Sequence, residues 1–272
     1  MTFETTDLAV ERRLVRRPGD IELDVLAQGQ GPLAVLLPSL GRPATDFDPI
    51  ALRLAAAQYR VLRPQPRGIG GSRSPAPYRD LHECAADIAA VIEAEGGGPA
   101  FVAGHAFGNR VTRMLATDRP DLVKGISLIA ANVGIAPSPP DVRAAIRASA
   151  DASRPEAERL DALRFAFFAP GNDPRVWLTG WYPDVLAAQR HAGDQTPRAQ
   201  DYAGGRAPIL YLQPSHDPLA HVEDAVIFQR EIGPRVSVVV IPNCSHAALP
   251  EQPDFIAGHL VAFADRLWER SR

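Results

Sequence analysis

Residues 104–108, with the sequence Gly-His-Ala-Phe-Gly, have the composition of a turn that presents a single residue for chemistry. An apolar run of strand type, Ala100 to Ala103, precedes them, and apolar residues at helical spacing follow them. The two glycines allow strand and helix to approach closely and leave the residue between them in a strained conformation. That residue is Ala106, whose methyl group cannot act as a nucleophile. The turn therefore has the layout of a reaction centre, but the side chain at its tip lacks a reacting group.

This turn resembles the nucleophile elbow, G-x-S-x-G, of the α/β-hydrolase family, with Ala106 in the place of the serine. Two later segments resemble further motifs of that family. One contains Asp217 before a proline and matches the block whose aspartate orients the histidine, and the other carries His246 and matches the histidine block. The chain order of elbow, aspartate and histidine is also that of the family. The resemblance covers about residues 33–267.

The resemblance implies a role for each of these residues. His246 would be the base, and Asp217 would accept its other ring N–H, which fixes the tautomer and stabilises the imidazolium. The backbone N–H groups of Leu40 and Phe107 would form an oxyanion hole, the second of them at a helix N-terminus, where negative charge is favoured. Asn132 lies where some family members carry the acid, but an amide cannot serve as that anion. Asp217 is therefore the predicted acid.

The alanine at the elbow has two explanations, and both stay open on the sequence. In the first, Ala106 is an engineered replacement of the serine, which prevents acylation and traps substrate in an intact pocket. In the second the alanine is natural, as in members similar to the aminoacrylate hydrolases that carry G-H-A-x-G, and His246 with Asp217 activates water directly. Both explanations predict hydrolase chemistry on a small or medium ester, lactone, amide or carbamate-like substrate.

Two interpretations from other functional classes remain beside the hydrolase. A base formed by His246 and Asp217 also suits a cofactor-free lyase or oxygenase that deprotonates its substrate. Alternatively, the chain is a ligand-binding pseudoenzyme that keeps a capped pocket without turnover. The presence of both side chains argues for an enzyme.

The elements that must position these residues follow from an alternation of strands and helices. Apolar runs of strand type occur at residues 33–37, 59–62, 100–103, 123–130, 209–212 and 236–241. Helical patterns separate most of these runs, and Asp46 is expected to cap a helix that extends to Ala57. Such alternation predicts an α/β fold with a mostly parallel, doubly wound sheet.

The alternation breaks between about Gly134 and Arg206, in a segment with several prolines and clustered aromatic residues. The family resemblance implies a helical cap at residues 135–206, inserted into a core formed by residues 1–134 and 207–272. The residues expected to line the substrate pocket are Ser39, His105, Trp177, Trp181 and Tyr182. An equally weighted alternative is that the aromatic residues only pack the cap against the core.

Composition limits the partners. The 272 residues carry a formal net charge of −3, which gives no general attraction to nucleic acid or to an anionic membrane. The N-terminal residues lack the pattern of a signal peptide, and no apolar run approaches the roughly 18 residues of a membrane span, so a cytoplasmic protein is expected. Two distant cysteines do not form a disulfide framework or a zinc site. We expect a small-molecule substrate and neither metal nor organic cofactor, and the sequence leaves a homodimer open.

Overall fold

An eight-stranded, mostly parallel sheet forms the centre of the protein in the computed structural model, which describes residues 8–134 and 139–269. The strands are β1 Glu11–Arg17, β2 Ile21–Gln28, β3 Leu33–Leu37, β4 Arg60–Pro64, β5 Ala100–His105, β6 Val123–Ile129, β7 Ile209–Pro214 and β8 Val236–Ile241. They lie in the order β1-β2-β4-β3-β5-β6-β7-β8. β1 pairs antiparallel with β2, and β2 antiparallel with β4, whereas all the other neighbouring strands are parallel. The predicted fold class is confirmed.

Helices connect the strands and cover both faces of the sheet. They are α1 Asp48–Ala56, α2 Leu81–Ala94, α3 Phe107–Asp118, α4 Pro140–Ala150, α5 Glu156–Ala166, α6 Pro183–Gln195, α7 Arg198–Asp201, α8 Val222–Ile232, α9 Ala248–Glu251 and α10 Pro253–Leu267. One face of the sheet carries α2, α3 and α8, and the opposite face carries α1 and α10. The sheet is therefore doubly wound.

The hydrophobic core lies in two layers because consecutive side chains of each strand point to opposite faces. In β3, Val35 and Leu37 join the apolar cluster beneath α2 and α3, whereas Ala34 and Leu36 join the cluster beneath α1 and α10. All four residues are buried, which is why β3 reads as a continuous apolar run rather than as an alternating one.

The chain between β6 and β7 holds the helices α4 to α7, in the region where the cap is expected. Residues 135–138, with which the expected cap begins, lie outside the described residues, as do the chain ends 1–7 and 270–272. A third apolar cluster joins this helical insertion to the loops that follow β7 and β8; its buried members are Val142, Leu163, Ala166, Phe167, Phe168, Trp177, Leu219 and Ala247. The insertion thus packs over the carboxyl ends of two core strands.

The predicted helix cap at Asp46 is wrong. Helix α1 begins at Asp48 after a 3-10 turn, Ala44–Phe47, and its N-cap residue is Phe47, which provides no side-chain cap. The carboxylate of Asp46 instead accepts hydrogen bonds from Nε and Nη2 of Arg42, at 2.8 and 2.9 Å. A buried guanidinium therefore takes the carboxylate that local sequence assigns to the helix.

The turn between β5 and α3 depends on two glycines because backbones meet there. A Cβ atom on Gly104 would lie 2.3 Å from the carbonyl carbon of Gly108. A Cβ atom on Gly108 would lie 2.3 Å from the carbonyl oxygen of Leu37 at the end of β3. Both contacts are with backbone atoms, which cannot rotate away as a side chain can. The two glycines therefore set how closely α3 approaches the sheet.

We predict that Gly108→Ala lowers the free energy of unfolding by about 3 kcal/mol or more, since the added methyl group displaces backbone in a packed region. The matched control is Gly258→Ala in α10, where an added Cβ meets no atom within 4 Å. That variant should match or exceed wild-type stability by up to about 1 kcal/mol. Urea unfolding followed by circular dichroism measures both variants, and equal stabilities would contradict the close-approach argument.

Candidate functional site

Ala106 stands between β5 and α3 in a backbone conformation that residues other than glycine rarely adopt, with φ 49° and ψ −111°. Such a conformation costs roughly 1–3 kcal/mol and persists only where the surroundings enforce it. Here the N–H of Ala106 donates to the carbonyl of Ile129 at 3.0 Å, and its own carbonyl accepts from the N–H of Asn109 at 3.1 Å. The strained turn predicted for this position is therefore present although the tip residue is alanine.

Asp217 and His246 meet after the ends of neighbouring parallel strands, β7 and β8. Nδ1 of His246 lies 2.8 Å from Oδ2 of Asp217, and both residues are buried. The other carboxylate oxygen accepts the backbone N–H groups of Leu219 and Ala220 at 2.8 and 3.1 Å. These bonds orient the carboxylate so that it holds the Nδ1–H tautomer of His246. Nε2 is the ring nitrogen left for proton transfer.

The loop that carries His246 is fastened to the helical insertion by Glu251. Its carboxylate accepts the N–H of Ser245 at 2.6 Å, the N–H of Ala169 at 2.7 Å and the side-chain amide of Asn172 at 2.7 Å. Burial raises the pKa of Glu251, while these hydrogen bonds act in the opposite direction. Glu251 belongs to the histidine motif in the sequence, and the structure adds that it links the two sides of the site.

His105 is fully buried beneath His246 rather than exposed to the cavity. Its Nε2 lies 2.7 Å from the backbone carbonyl of His246, so Nε2 carries the proton and donates it. Loss of solvation, followed by the nearby His246, lowers the pKa of His105 to about 3 and keeps the ring neutral. The expectation that His105 lines the pocket needs correcting: it supports the histidine loop from behind.

Of the three aromatic residues of the insertion that the sequence predicts in the pocket, one lines the cavity and two do not. Trp181 lines it, and Trp177, 2% exposed, packs edge to face behind it with ring centroids 5.8 Å apart. The guanidinium of Arg42 lies 4.7 and 4.9 Å from the two ring centroids. Tyr182 is 37% exposed and lies outside the cavity. Trp177 and Tyr182 therefore differ from the expectation, because Trp177 is buried against Phe167, Phe168 and Trp181, whereas Tyr182 is exposed outside the cavity.

Ser39, Leu40 and Phe107 all line the same cavity as Ala106 and His246. The loop that bears Leu40 is fixed by Gln189, whose side-chain oxygen accepts the N–H of Gly41 at 2.7 Å. Within residues 8–134 and 139–269, no acceptor lies on the backbone N–H of Leu40 or Phe107. Two residues that line the cavity beside Ala106 therefore have unpaired backbone N–H groups.

The cavity has a volume of about 200 Å³, enough for a small ligand. The sequence did not predict the other residues that line the cavity, which are Asn109, Arg110, Ala130, Asn132, Ile146, Phe167, Arg198 and Leu219. Spacing could have indicated Asn109 and Arg110, which lie three and four residues after Ala106 on the same helix. No local spacing signals the remaining residues, because they come from separate loops and helices.

The described ranges, 8–134 and 139–269, contain no group of three His, Cys, Asp or Glu side chains placed to hold a metal ion. They also contain no helix that is both long and apolar enough to span a membrane.

Comparisons with known proteins concern the family and the fold. Residues 34–259 match the model of the Alpha/beta hydrolase family. The chain is 25% identical over 278 residues to 2-(acetamidomethylene)succinate hydrolase of Mesorhizobium japonicum, covering 95% of this chain and 98% of the relative. It is 26% identical to pyrrolizixenacetamide deacetylase of Xenorhabdus hominickii, over 64% of this chain and 60% of the relative. A thermophilic esterase from Thermogutta terrifontis shares the fold, with a TM-score of 0.78, 22% identity and coverage of 94% of this chain and 99% of the esterase.

The buried His105 predicts an acid-sensitive fold. An unfolded chain protonates this histidine below about pH 6.5, whereas the folded chain does so only near pH 3. The stability is therefore complete above pH 6.5 and falls by up to about 1.4 kcal/mol per pH unit below it. Urea unfolding across this range should give a flatter curve for His105→Gln than for wild type. His191→Gln, at an exposed histidine of α6, is the control, and parallel curves for wild type and His105→Gln would contradict a buried neutral ring.

Proposed function

The chain belongs to the alpha/beta hydrolase family and is an enzyme, and from that premise we propose that it hydrolyses a small or medium amide, ester, lactone or carbamate-like substrate in the cavity beside Ala106. The observation that carries the proposal is the 2.8 Å contact between His246 Nδ1 and Asp217 Oδ2 at the wall of that cavity. Both curated relatives bear names that describe cleavage of an acetamide or an acetyl group. An amide is thus the substrate that we favour within the class.

Water is the attacking group in the proposed reaction because the methyl group of Ala106 has no lone pair. Nε2 of His246 removes a proton from water as its oxygen bonds to the carbonyl carbon, and the carbonyl electron pair moves onto oxygen. Asp217 stabilises the resulting imidazolium through Nδ1–H. The tetrahedral oxyanion then reforms the carbonyl and breaks the bond to the leaving group, which takes the proton from Nε2. A carboxylic acid and an amine or alcohol are released, with no covalent intermediate.

The unpaired N–H groups of Leu40 and Phe107 are the donors proposed for the developing oxyanion. Phe107 is the first residue of α3, so the positive end of the helix dipole adds to its N–H. Donors of this kind are held in place before the reaction begins, and loss of one typically costs about a hundredfold or more in rate. They belong to the backbone and do not require a serine.

The helical insertion, residues 135–206, is proposed to act as a cap over a core of residues 1–134 and 207–272. Its support is that Ile146, Phe167 and Trp181 from the insertion line the cavity opposite the core residues. Apolar side chains there exclude bulk water and strengthen the electrostatic interactions at the reaction centre.

We predict that wild-type protein hydrolyses at least one member of a panel of short amides, esters and lactones, and that His246→Ala lowers kcat by about 100- to 10,000-fold. Asp217→Asn should lower it as well, because the amide no longer stabilises the imidazolium. His191→Ala, at an exposed histidine of α6, is the matched control and should retain wild-type rates. Turnover that persists in His246→Ala would refute the role proposed for the histidine.

We further predict that Ala106→Ser changes the kinetic course rather than only the rate. Wild type should release product in a single phase, since no acyl-enzyme forms. The serine variant should show an initial burst of product, because its hydroxyl group attacks the substrate and the resulting acyl-enzyme ester accumulates. Stopped-flow measurement of the first turnover distinguishes the two. Activity in the serine variant alone, with none in wild type, would contradict direct water activation and would identify Ala106 as an inactivating residue.

A further inference from the structure

Arg198 is a cation in the wall of the cavity without an anionic partner. It is the first residue of α7, an exposed residue that lines the cavity where it opens to solvent. Its guanidinium lies against the backbone of Gly134, so closely that a Cβ there would be 1.6 Å from Nη1. Across residues 8–134 and 139–269, no carboxylate or carbonyl accepts a hydrogen bond from it. A positive charge is thus held at the cavity with its donors free.

The nearest carboxylate, Asp201, is already shared by two other arginines. Arg110 donates to it through Nη2 at 2.8 Å and Nε at 3.2 Å, and Nη2 of Arg113 lies 3.1 Å from its second oxygen. Asp201 and Arg113 are both buried, so this cluster is a fixed part of the fold. The carboxylate of Asp201 is therefore occupied by Arg110 and Arg113. Arg198 lines the cavity with its donors unused.

The surroundings of Arg198 favour neutralisation by an anion. The side chain of Arg198 is partly exposed, yet loss of solvation, with the nearby Arg110 as the next cause, lowers its pKa, while Asp201 acts in the opposite direction. A guanidinium nevertheless keeps its proton in proteins. A cation that is partly removed from water and lies near a like charge is unfavourable, and an anion bound to its free donors reduces both penalties.

Arg198 is connected to the reaction centre through a short series of contacts along the cavity wall. Gly134, on which the guanidinium rests, donates its N–H to Oδ1 of Asn132 at 2.8 Å. The amide nitrogen of Asn132 donates to the carbonyl of Leu219 at 2.5 Å, and the N–H of Leu219 donates to Asp217 at 2.8 Å. Most of the wall between them is apolar, formed by side chains such as Ile146. Arg110 also lines the cavity but is engaged by Asp201 and by the carbonyl of Gly193, so Arg198 is the lining arginine whose donors have no partner among the described residues.

We propose that Arg198 binds a carboxylate group carried by the substrate, so that the enzyme acts on small anionic amides or esters rather than on neutral ones. A guanidinium matches a carboxylate because its planar fork donates two parallel hydrogen bonds. Arg110 is committed to Asp201 and to the carbonyl of Gly193 at 2.9 Å, so Arg198 alone supplies this fork. The claim that the bound carboxylate belongs to the substrate rests on the proposed function. The binding of an anion by Arg198 does not require turnover.

The test is binding of succinate, with the neutral diamide succinamide as its uncharged counterpart, measured by isothermal titration calorimetry. We expect wild type to bind succinate more tightly than succinamide. Arg198→Gln should weaken succinate binding by about tenfold or more and leave succinamide binding unchanged, since a charge-assisted bond is lost. The affinity of Arg198→Lys for succinate should lie between those of wild type and Arg198→Gln, because lysine keeps the charge without the planar fork. Arg190→Gln, at an exposed arginine of α6 outside the cavity, changes net charge equally and should behave as wild type.

Three results overturn the carboxylate site. They are equal succinate affinity in wild type and Arg198→Gln, an equal loss in Arg190→Gln, and no measurable succinate binding by wild type. Unfolding midpoints of all variants show whether the fold is retained. Succinate binding that depends on Arg198, in a protein that hydrolyses nothing on the panel, would leave the site standing and remove the proposed hydrolysis. If hydrolysis depends on His246 but Arg198→Gln does not change the affinity for succinate, the proposed hydrolysis stands and the carboxylate site is removed.

Discussion

Backbone contact at Gly104 and Gly108 is the constraint on which the rest of the site depends. It brings the N-terminus of α3 against the ends of β3 and β5, with no room for a Cβ on either glycine. The residue between them must then connect a strand to a helix within one turn, which produces the positive φ of Ala106. The same approach places the first N–H of α3 beside the loop that bears Leu40. The positions of the N–H group of Phe107 and of residue 106 therefore follow from the close backbone approach at the two glycines, and not from the side chain at position 106.

The opposite wall is held by buried polar groups. The histidine loop is supported from below by the ring of His105 and from the side by Glu251, each bonded to the loop's backbone. A buried polar atom without a partner is costly, so each of these bonds restricts the loop to one arrangement. The position of His246 is thus overdetermined. A base that must meet both a carboxylate and a substrate benefits from such restriction, since misplacement by about 1 Å costs on the order of a hundredfold in rate.

Local patterns predicted the fold well and the cavity wall poorly, for physical reasons. The apolar runs that became β3, a buried strand, and β8, a partly exposed edge strand, have bounds, Leu33–Leu37 and Val236–Ile241, that coincide with the runs themselves. Motif order predicted that Asp217 and His246 belong together, and the structure places them 2.8 Å apart. Which tryptophan faces the cavity depends instead on tertiary packing of an irregular segment. No sequence pattern distinguishes Arg198 from other arginines, because it lacks a carboxylate partner only through the pairing of Asp201 with two arginines of another helix.

The strain at Ala106 bears on what the missing hydroxyl group means. A strained backbone in this family would ordinarily be justified by presenting a nucleophile, but here it is enforced by glycine contacts and by the bonds to Ile129 and Asn109. These remain whatever side chain stands at the tip. The protein consequently carries the strain without a covalent nucleophile, and what the turn still provides is the N–H of Phe107 beside a small methyl group. Replacing a hydroxymethyl group by methyl leaves space of about one oxygen atom on the cavity side, next to His246 in the proposed mechanism. A water molecule there would be positioned by Nε2 of His246, while the N–H groups of Leu40 and Phe107 stay available for the substrate's carbonyl oxygen, so the elbow can serve a reaction that never forms an acyl-enzyme.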